Sequence, residues 1–126
     1  MVDPERRLRL RVTLFRTLLV LAMIAFVYGS VAPSAPGPKW GPGAVLTHFV
    51  VSLGLGLLCR LGSARGRFAF WGIALTAAGI AAAEAVQLLI PAREASLLDV
   101  AANLSGLAAG YLLGRAADAR LRAVGA

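Results

Sequence analysis

The 126-residue sequence has little cysteine, histidine or charge, and each shortage excludes a class of protein. Its single cysteine, Cys59, excludes an intramolecular disulfide, and with only one histidine beside it there is no ligand set for structural zinc. Charged residues make up 15% of the chain, against about 25% in soluble domains. Apolar residues reach 59%, which is too many for a disordered segment or a small soluble core.

The charge that is present is mostly positive. Thirteen Lys and Arg residues stand against six Asp and Glu residues, for a net charge of +7. A basic chain fits a nucleic-acid-binding protein only if its positive charges gather on one water-facing surface. The position of the charges along the chain therefore decides what they mean.

Four stretches of the chain carry no charge, or a single carboxylate. A helix that crosses the roughly 30 Å hydrocarbon core of a bilayer needs about 20 mostly apolar residues, and no other open structure satisfies its backbone there. We therefore predict an all-α, integral membrane four-helix bundle that forms one domain over residues 1–126. The predicted helices span about 12–32, 43–60, 68–90 and 96–115.

The basic residues fall almost entirely on one side of these predicted helices. Only Lys39 and Arg93 lie on the opposite side, and the positive-inside rule then predicts that both termini are cytoplasmic. We interpret the net positive charge as this topology signal, and we therefore predict no nucleic-acid partner. A basic start before an apolar run also resembles a cleaved signal peptide, but proline directly follows Ala32 and Ala35, so we expect a retained first helix. The remaining basic residues are Arg6, Arg7, Arg9, Arg11, Arg16, Arg60, Arg65, Arg67, Arg115, Arg120 and Arg122.

Polar residues within the apolar stretches gather near the predicted extracytoplasmic end. Glu84 is the most informative, because a carboxylate in a membrane span needs a partner, a water-filled cavity or a proton. Asp99 and Asn103 share one helix face. The cluster is either a clamp between helices or an outward-facing pocket, in which Glu84 and Asp99 are the candidate catalytic acid and base. The candidate ligand-binding residues are His48, Glu84, Gln87, Arg93, Ser96, Asp99 and Asn103.

A stripe of glycines continues the polar face of the fourth predicted helix. Gly106, Gly110 and Gly114 recur every fourth residue, a spacing that lets two helix backbones approach closely. We favour packing within the chain as their role, and homo-oligomer formation remains the alternative. In either case the stripe is expected to face another helix and not lipid.

The polar residues resemble the signature of the VanZ-like family of small bacterial membrane proteins. That signature has Glu-x-x-Gln, a short turn with Arg, Ser-x-x-Asp, and Asn-x-x-Gly, after an upstream histidine that matches His48. Members often have an Asp-Lys pair just before that histidine, where this chain has the uncharged residues 43–47. The matching residues are Glu84, Gln87, Arg93, Ser96, Asp99, Asn103 and Gly106.

The resemblance implies a multi-pass protein of the bacterial cytoplasmic membrane with a role in the cell envelope. The VanZ-like family is also similar in name to a protein associated with resistance to teicoplanin, a lipoglycopeptide antibiotic. One hypothesis is that the outer pocket binds a lipid-like drug or a cell-wall precursor without catalysis. The alternative is a membrane-embedded enzyme acting on a lipid or polyprenyl-linked substrate, with His48 or Arg93 binding an anionic headgroup. No cofactor or metal is predicted, and four short helices disfavour a monomeric transporter.

Overall fold

The computed structural model describes residues 3–32, 37–38, 41–63, 66–91 and 96–124. These residues form four helices and no strand, so the prediction of an all-α chain is confirmed. Each helix is long and apolar enough to cross a membrane. The helices are α1 (Pro4–Val31), α2 (Gly41–Leu61), α3 (Gly66–Gln87) and α4 (Leu97–Val124).

Two helices extend well beyond the apolar stretches that predicted them. Helix α1 begins at Pro4, where Asp3 caps it by accepting a hydrogen bond from the backbone N–H of Glu5 at 3.1 Å. Helix α4 continues to Val124. Hydropathy marks where a helix can cross a bilayer, whereas arginine favours helix almost as well as leucine does. The arginines near the start of α1 and near the end of α4 therefore lie within these helices, and not in segments that flank them.

Helix α3 stops at Gln87, earlier than the predicted end at residue 90. Pro91 accounts for the difference, because proline has no N–H to donate to the carbonyl four residues earlier and its ring would clash with that carbonyl. The chain instead makes a tighter turn, in which the Ile90 N–H donates to the Gln87 carbonyl at 3.1 Å. Helix α4 begins after Ser96, whose hydroxyl accepts from the Leu98 N–H at 3.2 Å, as expected of an N-cap.

Helices α2 and α4 pack backbone against backbone. A Cβ atom added to Gly106 would overlap the carbonyl oxygen of Phe49, and one added to Gly110 would overlap that of Leu53. Gly114 continues the same buried face of α4. The glycine stripe is therefore the surface on which α4 contacts α2, and it holds the polar residues of the two helices in a fixed register.

The exterior of the four helices is largely apolar. Of the 18 most apolar consecutive residues in each helix, only 11% in α1 and 39% in α4 are buried inside the protein. Leu89 and Leu97 are 82% and 88% exposed. A soluble monomer rarely exposes apolar patches of more than a few hundred Å². The surface is that of a multi-pass membrane protein, with lipid as its natural surroundings.

Candidate functional site: a histidine between two carboxylates

His48 lies between the two acidic residues of the apolar interior. Its Nδ1 atom is 3.7 Å from Oε1 of Glu84, and its Nε2 atom is 3.9 Å from Oδ2 of Asp99. Both distances exceed those of direct hydrogen bonds. Three helices thus bring one side chain each to a common point, since His48 belongs to α2, Glu84 to α3 and Asp99 to α4.

Asn103 joins the three helices through direct hydrogen bonds. Its Oδ1 atom accepts from the Ser52 hydroxyl at 2.7 Å and lies 3.3 Å from Nδ1 of His48, and its Nδ2 atom donates to Oε1 of Glu84 at 3.0 Å. The Asn103 side chain is fully buried, which makes each of these bonds costly to lose. Since an amide oxygen only accepts, this network assigns a hydrogen to His48 Nδ1, while Nε2 is the nitrogen that faces Asp99.

The two carboxylate oxygens of Glu84 differ in their hydrogen bonding. Its Oε2 atom is buried and, among the described residues, has no hydrogen-bond partner. A buried acceptor without a donor is uncommon in proteins, and it raises the free energy of the folded state until a donor arrives. The donor can be a water molecule, a proton or a ligand. This oxygen is the least satisfied polar atom of the cluster.

Two open spaces adjoin the cluster. A cavity of about 350 Å³ between α1 and α2 is lined by Phe26, Ser30, Thr47 and His48, among others. The Phe26 ring meets the His48 ring edge-on, with centroids 6.5 Å apart. A groove of about 750 Å³ between the N-terminal ends of α2 and α4 includes Asp99 in its wall. His48 and Asp99 therefore each line a different space.

Not every predicted site residue joins the cluster. Gln87 is buried but donates to the backbone carbonyl of Ser30 at 3.0 Å, where it satisfies one of the carbonyls left open at the end of α1. The hydroxyl of Ser96 caps α4, and Ser96 also lines the groove. Arg93 lies outside the described residues, as do Lys39 and Glu94. Among the described residues, no three His, Cys, Asp or Glu side chains are placed to hold a metal ion.

Sequence reasoning missed two polar residues. Ser52 lies one turn after His48 on α2, and this spacing is the signal that could have added it to the site. Asp118 lies one turn beyond Gly114, so it continues the face of α4 that begins at Asp99. The predicted face of α4 ended at its last glycine, Gly114.

Asp118 forms a second buried cluster at the opposite end of the helices. One of its carboxylate oxygens accepts from Arg11 at 3.0 Å, and the other accepts from Arg60 at 2.8 Å and contacts NH2 of Arg122 at 2.9 Å. The Asp118 residue is 2% exposed, and the three arginines come from α1, α2 and α4. This cluster ties together the arginine-rich ends of three helices.

Comparison of the chain with models of protein families, with curated proteins and with solved structures found no match. What the site can do is therefore argued from its own geometry.

Proposed function

We propose that this protein is a VanZ-like multi-pass protein of the bacterial cytoplasmic membrane that binds an amphiphilic ligand at the extracytoplasmic end of its helices. The ligand class is a lipid-like drug, such as a lipoglycopeptide, or a lipid-linked cell-wall precursor. One observation carries the proposal: His48 lies between Glu84 and Asp99, next to a cavity and a groove of about 350 and 750 Å³. Polar groups placed beside mostly apolar spaces are typical of sites for small molecules.

The proposed orientation has both termini in the cytoplasm. It is supported by the eleven arginines that lie at one end of the predicted helices, against Lys39 and Arg93 at the other. The polar cluster then faces the side on which lipid-linked precursors are joined to the cell wall and lipoglycopeptides act. We include a role in teicoplanin resistance in the proposal, and its support is the resemblance of the motif residues.

An enzyme acting on a lipid or polyprenyl-linked substrate is the second candidate. The observation that favours it is the same histidine, because a ring nitrogen between two carboxylates can move a proton between them and a bound substrate. In that case Glu84 and Asp99 serve as acid and base, and His48 Nε2 passes the proton. Binding alone needs the shape and polarity of these groups, whereas catalysis needs their ionisable protons.

The two candidates differ in their response to amide substitution. In cells that depend on this protein for a measurable teicoplanin tolerance, we would test Glu84→Gln, Asp99→Asn and His48→Gln, each with its membrane abundance. A binding site should retain much of the tolerance in Glu84→Gln, whereas an enzyme should lose at least about 100-fold of its activity. Thr13→Val, an exposed change on α1 far along the chain from the cluster, is the control.

The scan is completed by Gln87→Leu, Arg93→Gln and Asn103→Ala. If all six variants insert normally and none changes tolerance or any other envelope property, the proposed function is wrong. Orientation is measured in the same cells with single cysteines in a Cys59→Ser background. Pro91→Cys should react with a membrane-impermeant thiol reagent added outside, and Val124→Cys should not. The reverse pattern would move the cluster to the cytoplasmic side.

A further inference from the structure

The groove between α2 and α4 has the shape and lining of a lipid-binding surface. Val45, Leu46 and Phe49 of α2 form one side, and Leu98 and Ala101 of α4 lie on the other. The side chains are apolar and the volume is about 750 Å³. In a bilayer, a groove of this kind at the edge of a helix pair is filled by the chains of the surrounding lipid. The polar residues in the wall of the groove therefore select the headgroup of the lipid whose acyl chain lies there.

The polar part of that wall is acidic. Asp99 is the one ionisable residue among those that line the groove. Its Oδ2 atom is 3.9 Å from His48, behind which lies Glu84 with its unpartnered oxygen. Across the described parts of α2, α3 and α4 at this end, the charged residues are Glu84 and Asp99, with no lysine or arginine. Among the described residues, Asp99 is thus the one charged side chain that a headgroup in the groove can meet.

We propose that the groove binds a phospholipid whose headgroup ends in a primary ammonium. The acyl chain lies along Val45, Leu46 and Phe49, and the ammonium donates to the carboxylate of Asp99. The ammonium supplies a positive charge and N–H donors, with which this carboxylate can pair. This inference goes beyond the proposed function, because a membrane phospholipid is neither a lipid-like drug nor a cell-wall precursor. It departs from the expectation that His48 binds an anionic headgroup, because His48 lines the other cavity.

The test is competition between two lipids that differ in headgroup alone. The purified full-length protein in detergent micelles receives equal amounts of phosphatidylethanolamine and phosphatidylglycerol with identical acyl chains. Native mass spectrometry then counts the lipids that stay bound. We expect phosphatidylethanolamine to exceed phosphatidylglycerol by about fivefold, the ratio that one ion pair supplies. Asp99→Asn should bring the ratio to about one, and Asp99→Glu, which keeps the charge, should restore the preference.

A pair of alanine variants tests the place of binding. Ala101→Phe fills the groove and should reduce the bound lipid of both kinds by about fivefold or more. Ala108→Phe lies two turns further along the same exposed face of α4, outside the groove, and should bind lipid as the unchanged protein does. Because both alanines are exposed, neither change enters the packed interior, so the pair stays informative even if Asp99→Asn fails to fold.

Three results separate the inference from the proposed function. Equal binding of both lipids by the unchanged protein, or a preference that survives Asp99→Asn, overturns the ammonium headgroup but leaves amphiphile binding in place. Normal lipid binding by Ala101→Phe overturns the groove as the location. A clear phosphatidylethanolamine preference in a protein whose cluster variants all keep drug tolerance supports the lipid site and contradicts the proposed function.

Discussion

Two of the buried carboxylates of this protein, those of Glu84 and Asp118, lie in opposite electrostatic surroundings. They are 5% and 2% exposed. Both oxygens of Asp118 accept hydrogen bonds from arginines that belong to three helices. Glu84 accepts one hydrogen bond, from the neutral amide of Asn103, and its second oxygen has no partner among the described residues.

This difference separates a residue that stabilises the fold from one that is available for binding or chemistry. A buried carboxylate surrounded by guanidinium groups is costly to disturb, because each arginine loses its counter-charge. A carboxylate with an unpartnered oxygen lacks a hydrogen-bond donor, and a ligand that supplies the donor lowers the free energy of the protein. Burial alone does not distinguish Glu84 from Asp118, but their hydrogen-bond partners do.

The largest loss of stability is expected from Asp118→Asn. The substitution leaves three guanidinium groups near a neutral amide, and breaking a buried ion pair from one side costs about 3–5 kcal/mol. The free energy of unfolding in detergent micelles, measured by denaturant titration, checks this value. Glu5→Gln is the matched control, because the pair between Glu5 and Arg9 is exposed and its loss should cost less than about 0.5 kcal/mol. Equal losses in the two variants would show that the Asp118 cluster is not a stabilising clamp.

A smaller loss of stability is expected from Gly56→Ala, because Gly56 lies on α2 between the two polar clusters. A Cβ at Gly56 would overlap the carbonyl oxygen of Leu107 on α4, so the two helices must move apart. Overpacking of this kind costs about 1–3 kcal/mol. Gly54, two residues earlier on α2, has no atom within 4 Å of an added Cβ. Gly54→Ala should therefore raise the thermal midpoint slightly through helix propensity. A Gly56→Ala protein as stable as Gly54→Ala would contradict backbone contact between α2 and α4.

The smallest change in stability is expected from Glu84→Gln, although it makes the same acid-to-amide replacement as Asp118→Asn. The amide oxygen of glutamine can accept the Asn103 hydrogen bond, and no other partner is lost among the described residues. We expect the free energy of unfolding to change by less than about 1 kcal/mol. A loss as large as that of Asp118→Asn, measured in the same titration, would mean that Glu84 is also a structural residue.

Much of the fold could be predicted because a bilayer demands long apolar helices. The uncharged stretches indicated all four helices. The ends of α1 and α4 were wrong, because the helices continue through arginine-rich segments that a hydropathy argument excludes. The end of α3 was wrong because a proline acts on the carbonyl four residues before it, and not only on its own position.

The site was predictable in part for a related reason. Spacing along a single helix placed Asp99 and Asn103 on one face, and this requires only helical geometry. Which helices face each other is a tertiary property, so nothing in the sequence showed that Asn103 contacts Ser52 and Glu84 together. The Asp118 cluster was not predicted, because two of its three arginines, Arg11 and Arg60, come from distant parts of the chain.

The backbone contact between α2 and α4 also has a consequence for how the protein is made. The ribosome completes α2, then α3, before it begins α4. During that interval the face of α2 that carries His48 and Ser52 has no Asn103 to bond with. Assembly of the polar cluster must therefore wait for the fourth helix to leave the insertion channel, and α2 depends until then on other partners. A chain that stops before α4 would leave these polar groups facing lipid, which is a state that membrane quality control can recognise.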